Sequence, residues 1–415
     1  MDTMSEEQAQ QIGQRLRSAR RQRGMSLRTL AGLSGLSVGF LSMVENGQRH
    51  LDRTGHINAL AEGLRIAPSE LTGQPYASAD PSATSAHEAI PALRLALMGI
   101  NLGLPPDQGP PIGPVSGLAE RVAEANRLYH ACEYGQVAAV LPGLLGDLHA
   151  AADAATGPRR QVLLRLLADA YHPACTLLLK NLGYTDLAFI AVTRAAEAIA
   201  ELDDPIYHAL SGFFHTHVLM AAGSPVQALA RAEQAADQVA RHLVTPAAHA
   251  LLGELHLIQA TCLTQDVRRS GTERTHEVHQ HLVEAADLAA RTGETKAWHL
   301  NFGPTNVGIH QVSLNTDLGW HGQAVTAGGV VRPQILSAPG REAAFRADLG
   351  RSLAHLRGRD AEAVASLLAA EHVAPQRIHA NALVRDTVSD LLDRQLPTHA
   401  ARDLRGLAHR MGLQL

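Results

Sequence analysis

The sequence has few aromatic residues, almost no lysine and little cysteine, and each shortage narrows what the chain can be. Aromatics make up 3% of the residues although 46% are apolar, so alanine and leucine supply most of the apolar side chains. Both are strong helix formers, and no convincing strand pattern appears, so the chain is expected to be all-α. The three cysteines, Cys132, Cys175 and Cys262, stand far apart with no C-x-x-C pair. That argues against a disulfide framework or a thiolate metal site and suits a reducing compartment. Lysine occurs only as Lys180 and Lys296; arginine carries the basic charge, as GC-rich codon usage would produce. No apolar run reaches the ~18 residues of a membrane span, and the polar, acidic start MDTMSEEQAQ is unlike a secretory leader. A cytoplasmic protein without membrane contact is expected. No G-x-x-x-x-G-K-[ST] phosphate loop is present, and no cofactor is expected.

What is there divides along the chain. The net charge of −4 gives no global attraction to nucleic acid, but it hides a local excess. Between Gln10 and Arg53 eight arginines face only Glu45 and Asp52, about +6 for that stretch. At 415 residues the chain should hold more than one domain. Residues 1–73 read as a string of short helices. Residues 74–117, rich in Pro, Ser and Ala over 74–92 and in Pro and Gly over 104–117, read as a linker carrying one short helix at 93–101. Residues 118–415 read as continuous amphipathic helices with brief breaks, least clear over 324–336.

Within the first segment the run from Met25 to Arg49 carries the motif. Ser26 is placed to cap a helix over 27–33, and Ser37 a second over 38–45. Gly35 stands at the tight turn between them, where a positive φ is needed, and Asn46-Gly47 ends the second helix. Leu30, Leu36, Leu41 and Val44 are spaced to pack the two together. Ile12, Leu16 and Ala19 form the inner stripe of a preceding helix; Ile57, Leu60, Ala61 and Leu64 form a closing one, followed by Ala67-Pro68-Ser69-Glu70-Leu71. Gly35-Leu36-Ser37-Val38-Gly39 also spells G-x-S-x-G, but that nucleophile elbow needs a strand before it; a helix precedes it here.

This order of features resembles the lambda-repressor/Cro, or xenobiotic-response-element, family of helix-turn-helix regulators over residues 10–73. The resemblance implies double-stranded DNA as partner, with the second helix of the motif in the major groove. Ser37, Val38, Gly39, Ser42 and Met43 would face the groove, Val38 and Met43 suiting a thymine methyl. Arg28, Gln48, Arg49 and Arg53, with Thr29, would meet the DNA backbone. Gly39 leaves base readout thin, so DNA shape would contribute.

The remaining sequence repeats a turn glycine followed by small residues. Gly183 is followed at five and twelve residues by Ala188 and Ala195, Gly223 by Ala228 and Ala235, and Gly358 by Ala363 and Ala370, with Pro375 closing that unit. Gly135 and Gly319 begin weaker copies, and the gap between 223 and 319 is expected to hold one more with an insertion around 266–273. The pattern resembles the tetratricopeptide repeat, implying about six helix pairs in an α-solenoid with a concave face. The whole architecture resembles the tetratricopeptide-containing regulators of Gram-positive bacteria, some of which bind a signalling peptide in that groove.

Counting back from the turn glycines puts Phe213, His217, Asn306, His310, Ser313 and Asp348 on the concave face. The unusual segment from Trp298 to Asn306, which includes Asn301, is expected to form a pocket wall, because an Asn amide both donates and accepts. His276-Glu277-Val278-His279-Gln280-His281 lacks the H-E-x-x-H spacing of a zinc site, and no metal is expected. No constellation suits an enzyme. The expected function is a homodimeric DNA-binding regulator controlled by a small-molecule or peptide effector. The alternative is a scaffold whose array binds a partner protein.

Overall fold

The computed structural model describes residues 3–49, 51, 54–64, 71, 81–99, 114–271, 273–379 and 381–413. The described residues are helical throughout, with no strand among them. Among the described residues four helices make up the N-terminal head: α1 (Thr3–Gln22), α2 (Leu27–Ser34), α3 (Val38–Glu45) and α4 (Thr54–Leu64). Their core is small and separate. Ile12 and Leu16 of α1, Leu30 of α2, Leu41 and Val44 of α3, and Ile57, Leu60, Ala61 and Leu64 of α4 close over one another with Leu51 and Leu71. The Ala67–Glu70 turn falls outside the described residues.

Helix α5 (Pro81–Gly99) corrects the linker reading for residues 81–92. The prolines and serines there read as breakers, yet Pro81 opens the helix and Pro91 is accommodated inside it. The spacing of Ala86, Ile90, Leu93 and Leu97 makes an apolar stripe, and all four are buried in the core of the C-terminal array.

The array consists of helical hairpins: α6 (Val115–His130) with α7 (Tyr134–Asp153), α8 (Gly157–Ala170) and α9 (Thr176–Asn181) with α10 (Thr185–Ala200), and α11 (Pro205–Ala221) with α12 (Pro225–Ala240). They continue with α13 (Pro246–Ser270) and α14 (Thr275–Thr292), α15 (Pro304–Asp317) and α16 (His321–Gly328), and α17 (Pro339–Ala354) and α18 (Asp360–Val373). Short α19 (Pro375–His379), α20 (Ala382–Leu392) and α21 (Thr398–Arg410) finish the chain. The indistinct stretch 324–336 holds the end of α16 and a single 3-10 turn, Pro333–Leu336.

The repeat signal marks the geometry closely. Gly183, Gly223, Gly319 and Gly358 are all left-handed, and in each case the next helix starts two residues later. At Gly183, Gly223 and Gly319 the following amide also bonds back to the carbonyl five residues earlier, a Schellman closure that only a left-handed residue permits. The alanines at the fifth and twelfth positions are fully buried. Small size is required there: a Cβ on Gly212 of α11 would lie 2.8 Å from that of Ala235 on α12. The weak copy at Gly135 is displaced, however. Gly135 lies inside α7, and the left-handed position belongs to Cys132, φ 62°. Counted from Cys132, Val137 and Leu144 fill the two buried positions. The copy in the long gap turns at Gly271 and takes two extra residues before α14, where Val278 and Ala285 play the same part.

The solenoid bends until its ends meet. The Tyr134 amide at the start of α7 donates to Gln376 Oε1 on α19 at 3.0 Å, across 242 residues of sequence. A Cβ on Gly340 would lie 3.0 Å from Cys132 Sγ. One stretch, Gly157–Asn181, is long and apolar enough to cross a membrane, but 72% of it is buried inside the fold, which accounts for its apolarity.

Candidate nucleic-acid interface and inner cleft

In the head the two serines cap as their positions dictate. Ser26 Oγ accepts from the Thr29 amide at 3.0 Å and Ser37 Oγ from the Phe40 amide at 3.1 Å. Gly35 takes φ 69° between the helices, and the chain turns through 115° from α2 to α3, within the ~90–120° of a helix-turn-helix. The N-terminal end of α3 faces solvent. Ser37 and Gly39 are exposed, Val38 is 42% and Met43 37% exposed, and Ser42 is half-buried. Nothing lies within 4 Å of where a Gly39 side chain would begin. Arg28, Thr29, Gln48 and Arg49 are exposed as well, the Arg49 guanidinium lying 5.5 Å from the Phe40 ring centre. Arg53 falls outside the described residues.

Two features of this surface do not follow from the motif. Glu45, the last residue of α3, is 5% exposed. Arg20 of α1 clamps it through two bonds of 2.6 and 2.8 Å, and Arg17 reaches it at 3.4 Å. Arg17 also donates to Asn46 Oδ1, and Arg20 to the Met25 carbonyl. These two arginines of the basic stretch therefore fix α1 to α3, Arg20 from a largely enclosed position and Arg17 from a more open one. The second feature is Gly13: a Cβ there would sit 2.3 Å from the Val44 carbonyl oxygen, so α1 and α3 touch backbone to backbone.

In the array, the predicted concave-face residues divide into two groups. Phe213 and His217 line a cleft of about 100 Å³ at the place where the ends of the array meet. His299 and Leu300, inside the predicted wall segment, line it too. His310 stands beside it, 3.3 Å from Arg341 Nη1. The other residues are engaged in the fold. Trp298 donates to the Ala247 carbonyl at 2.9 Å and packs edge-on to Tyr207. Asn301 is 6% exposed. Asn306 is fully buried, its Nδ2 donating to Glu254 Oε1 at 2.7 Å. Ser313 bonds Asp348, which is clamped by Arg351. The wall segment is strained: Trp298, His299 and Asn301 all hold φ near +57°, a region that non-glycine residues enter at a cost of ~1–3 kcal/mol.

The three cations of the cleft escaped the sequence reading: Lys180 of α9, Arg341 of α17 and Arg377 of α19. Rarity was one available signal, since Lys180 is one of only two lysines and lies at the end of a first helix of a pair. Burial lowers the Lys180 ammonium to about 8, helped by Arg377 and Arg341. Burial likewise takes His130 to about 4 and His310 to about 3, and His217 well below its ordinary value. Glu254 is raised to about 7 by burial.

A larger open groove of about 610 Å³ runs between α14 and the α15–α16 pair, with Trp320 at its rim. In the histidine-rich segment His276 and His279 are exposed, and His281 Nδ1 lies 3.0 Å from His256 Nδ1. Among the described residues no group of three or more His, Cys, Asp or Glu side chains is placed to hold a metal ion.

Residues 11–72 match the family model described as a helix-turn-helix domain. The N-terminal part of the chain is thus a helix-turn-helix domain, and the match leaves the rest of the chain uncovered. No curated protein matches the sequence. Among solved structures, that of Bacillus thuringiensis PlcR in complex with the peptide PapR7 and DNA is similar at 13% identity, covering 68% of this chain and 95% of that one, with a TM-score of 0.30. That score is too low to carry an inference about this chain.

Proposed function

We propose that the chain is a sequence-specific, DNA-binding transcriptional regulator whose helical array senses an effector. The observation that carries this is the exposure of the N-terminal end of α3, with Ser37, Val38, Gly39 and Met43 open to solvent on a helix held rigidly from behind by Arg20 and Glu45. A recognition helix needs both properties: a surface free to enter a groove, and a frame stiff enough to keep its register. Arg28, Gln48 and Arg49 flank it as phosphate contacts, and Ser42 and Thr29 complete the face. Residues 1–73 act as the DNA-binding domain, and α5 belongs with the array. A homodimer would place two such helices on half-sites about one helical turn apart.

Full-length protein incubated with a random duplex pool tests this reading. It should enrich one motif, as a twofold repeat if the protein is a dimer, and analytical ultracentrifugation of the complex gives the stoichiometry. Failure to enrich any motif at low salt, from protein of normal helical content, would remove the reading. The inner cleft supports effector control because it lies where distant repeats meet, so a ligand there can favour one arrangement of the array over another. A second reading, a scaffold for a partner protein, rests on the open groove beside Trp320. Co-purification that depends on Trp320, with no bound metabolite, would favour it.

A further inference from the structure

Positive charge collects inside the array, at the closure of the ring. Lys180, Arg341 and Arg377 all line the small cleft, alongside His130, His217 and His299. Among the described residues no carboxylate lies within 4 Å of any of the three cations, and the Lys180 ammonium has no hydrogen-bond partner. Arg341 meets only the His310 ring, and Arg377 the Tyr134 phenol. The charges acting on His217 come from Lys180, Arg341 and His310, and those on His130 from His299, Arg341 and Lys296. Glu254 and Arg341 act on each other from further off: Glu254 is buried, raised to about 7 and bonded to Asn306. All three are half-buried; cations drawn partly out of water without a counter-charge are costly, and this site brings three together from parts of the chain almost 200 residues apart. Two further observations point to a missing ligand. His130 Nε2 is buried with no partner. The N-terminus of α17 also opens on the cleft through Ala338, Gly340 and Arg341, an arrangement that favours an anion.

We propose that this cleft is an oxyanion site that takes the phosphate or carboxylate head group of a small ligand between Lys180, Arg341 and Arg377, with Phe213 and Leu177 as its apolar wall. At about 100 Å³ it holds a head group, well short of the ~300–1,000 Å³ of pockets that enclose whole drug-sized ligands. Lys180 belongs to the second helical pair, whereas Arg341 and Arg377 belong to the last pair and the helix after it. A bound anion therefore ties the two ends of the array together. The proposal rests on the regulator reading only for its effect on DNA; binding itself stands apart.

Calorimetry and thermal melting of the full chain with inorganic phosphate, and separately with succinate, in low-salt buffer test it. One or both probes should saturate a single site per chain and raise the melting temperature; which one succeeds identifies the head group. Lys180→Gln and Arg341→Gln, each checked for helical content, should weaken that binding by about tenfold or more, the loss expected for one charge-assisted contact. Arg357→Gln removes an exposed charge after α17 and should leave it unchanged. Absence of saturable binding to either probe, or equal binding by all three variants, overturns the proposal. DNA affinity measured on the same preparations separates the two ideas. Saturable anion binding without DNA binding sinks the regulator reading alone, and DNA binding without an anion site sinks this one alone.

Discussion

The head and the array place positive charge in opposite ways. In the head Arg28 and Arg49 lie outside, and Arg17 and Arg20 are paired with the buried Glu45. In the array, Lys180, Arg341 and Arg377 line an inner cleft with no carboxylate among the described residues within 4 Å. An exposed cation needs nothing but water until DNA arrives, whereas an enclosed one needs a counter-charge. The contrast shows that the same residue types serve an open surface at one end of the chain and a small enclosed site at the other. It can be broken or sharpened by substitutions on each side.

The largest effect should come from Arg20→Ala. It leaves the Glu45 carboxylate buried and without its main partner, a change that costs about 3–5 kcal/mol. The head should melt early and DNA binding should fail, while the array transition, followed by circular dichroism, stays in place; a single unchanged melt would show that the clamp is dispensable. Next comes Gly13→Ala, whose new Cβ would meet the Val44 carbonyl at 2.3 Å. Forcing α1 and α3 apart should cost about 1–3 kcal/mol by chemical denaturation, again in the head alone.

Acid should act on the array. Burial holds His130, His149 and His256 at about 4 and His172 and His310 at about 3 in the folded chain. The unfolded chain takes up these protons from ~6.5, so protonation favours unfolding as pH falls from there towards 4. Asp169 and Glu254, raised to about 7 by burial, and Asp348, also raised, work the other way: their contribution grows as pH falls. The histidines outnumber them, so the melting temperature of the array should drop between pH 6.5 and 4. A flat profile would mean that these rings are hydrated. The smallest effect belongs to Arg28→Ala, which should weaken binding to all DNA sequences alike and reduce the salt slope by about one unit. No change in slope would remove Arg28 from the phosphate contacts.

Much of the head was legible in the sequence because its signals are local. Ser26, Gly35 and Ser37 act on amides or dihedrals within three residues, and Leu30, Leu41 and Val44 follow helical spacing. The role of Glu45 was not legible, since Arg20 lies 25 positions away and no local pattern pairs them. In the array, Gly183, Gly223 and Gly358 announced their turns because a left-handed residue is usually glycine. The first turn was misplaced at Gly135 because Cys132 takes that conformation instead. Helix α5 was hidden by its prolines, although Ala86, Ile90, Leu93 and Leu97 already carried the stripe. The cleft was found only in part: Phe213 and His217 follow from counting along one helix, but Arg341 and Arg377 join them only because the ring closes, and closure is a sum of small rotations that no single repeat encodes.

The most direct measurement compares duplex selection by the wild type with selection by Val38→Asp, which places a negative charge at the exposed tip of α3 and disturbs no buried contact. The account predicts a single motif enriched by the wild type and lost by the variant, at equal helical content and equal melting temperature. Enrichment of the same motif by Val38→Asp would show that α3 does not read DNA.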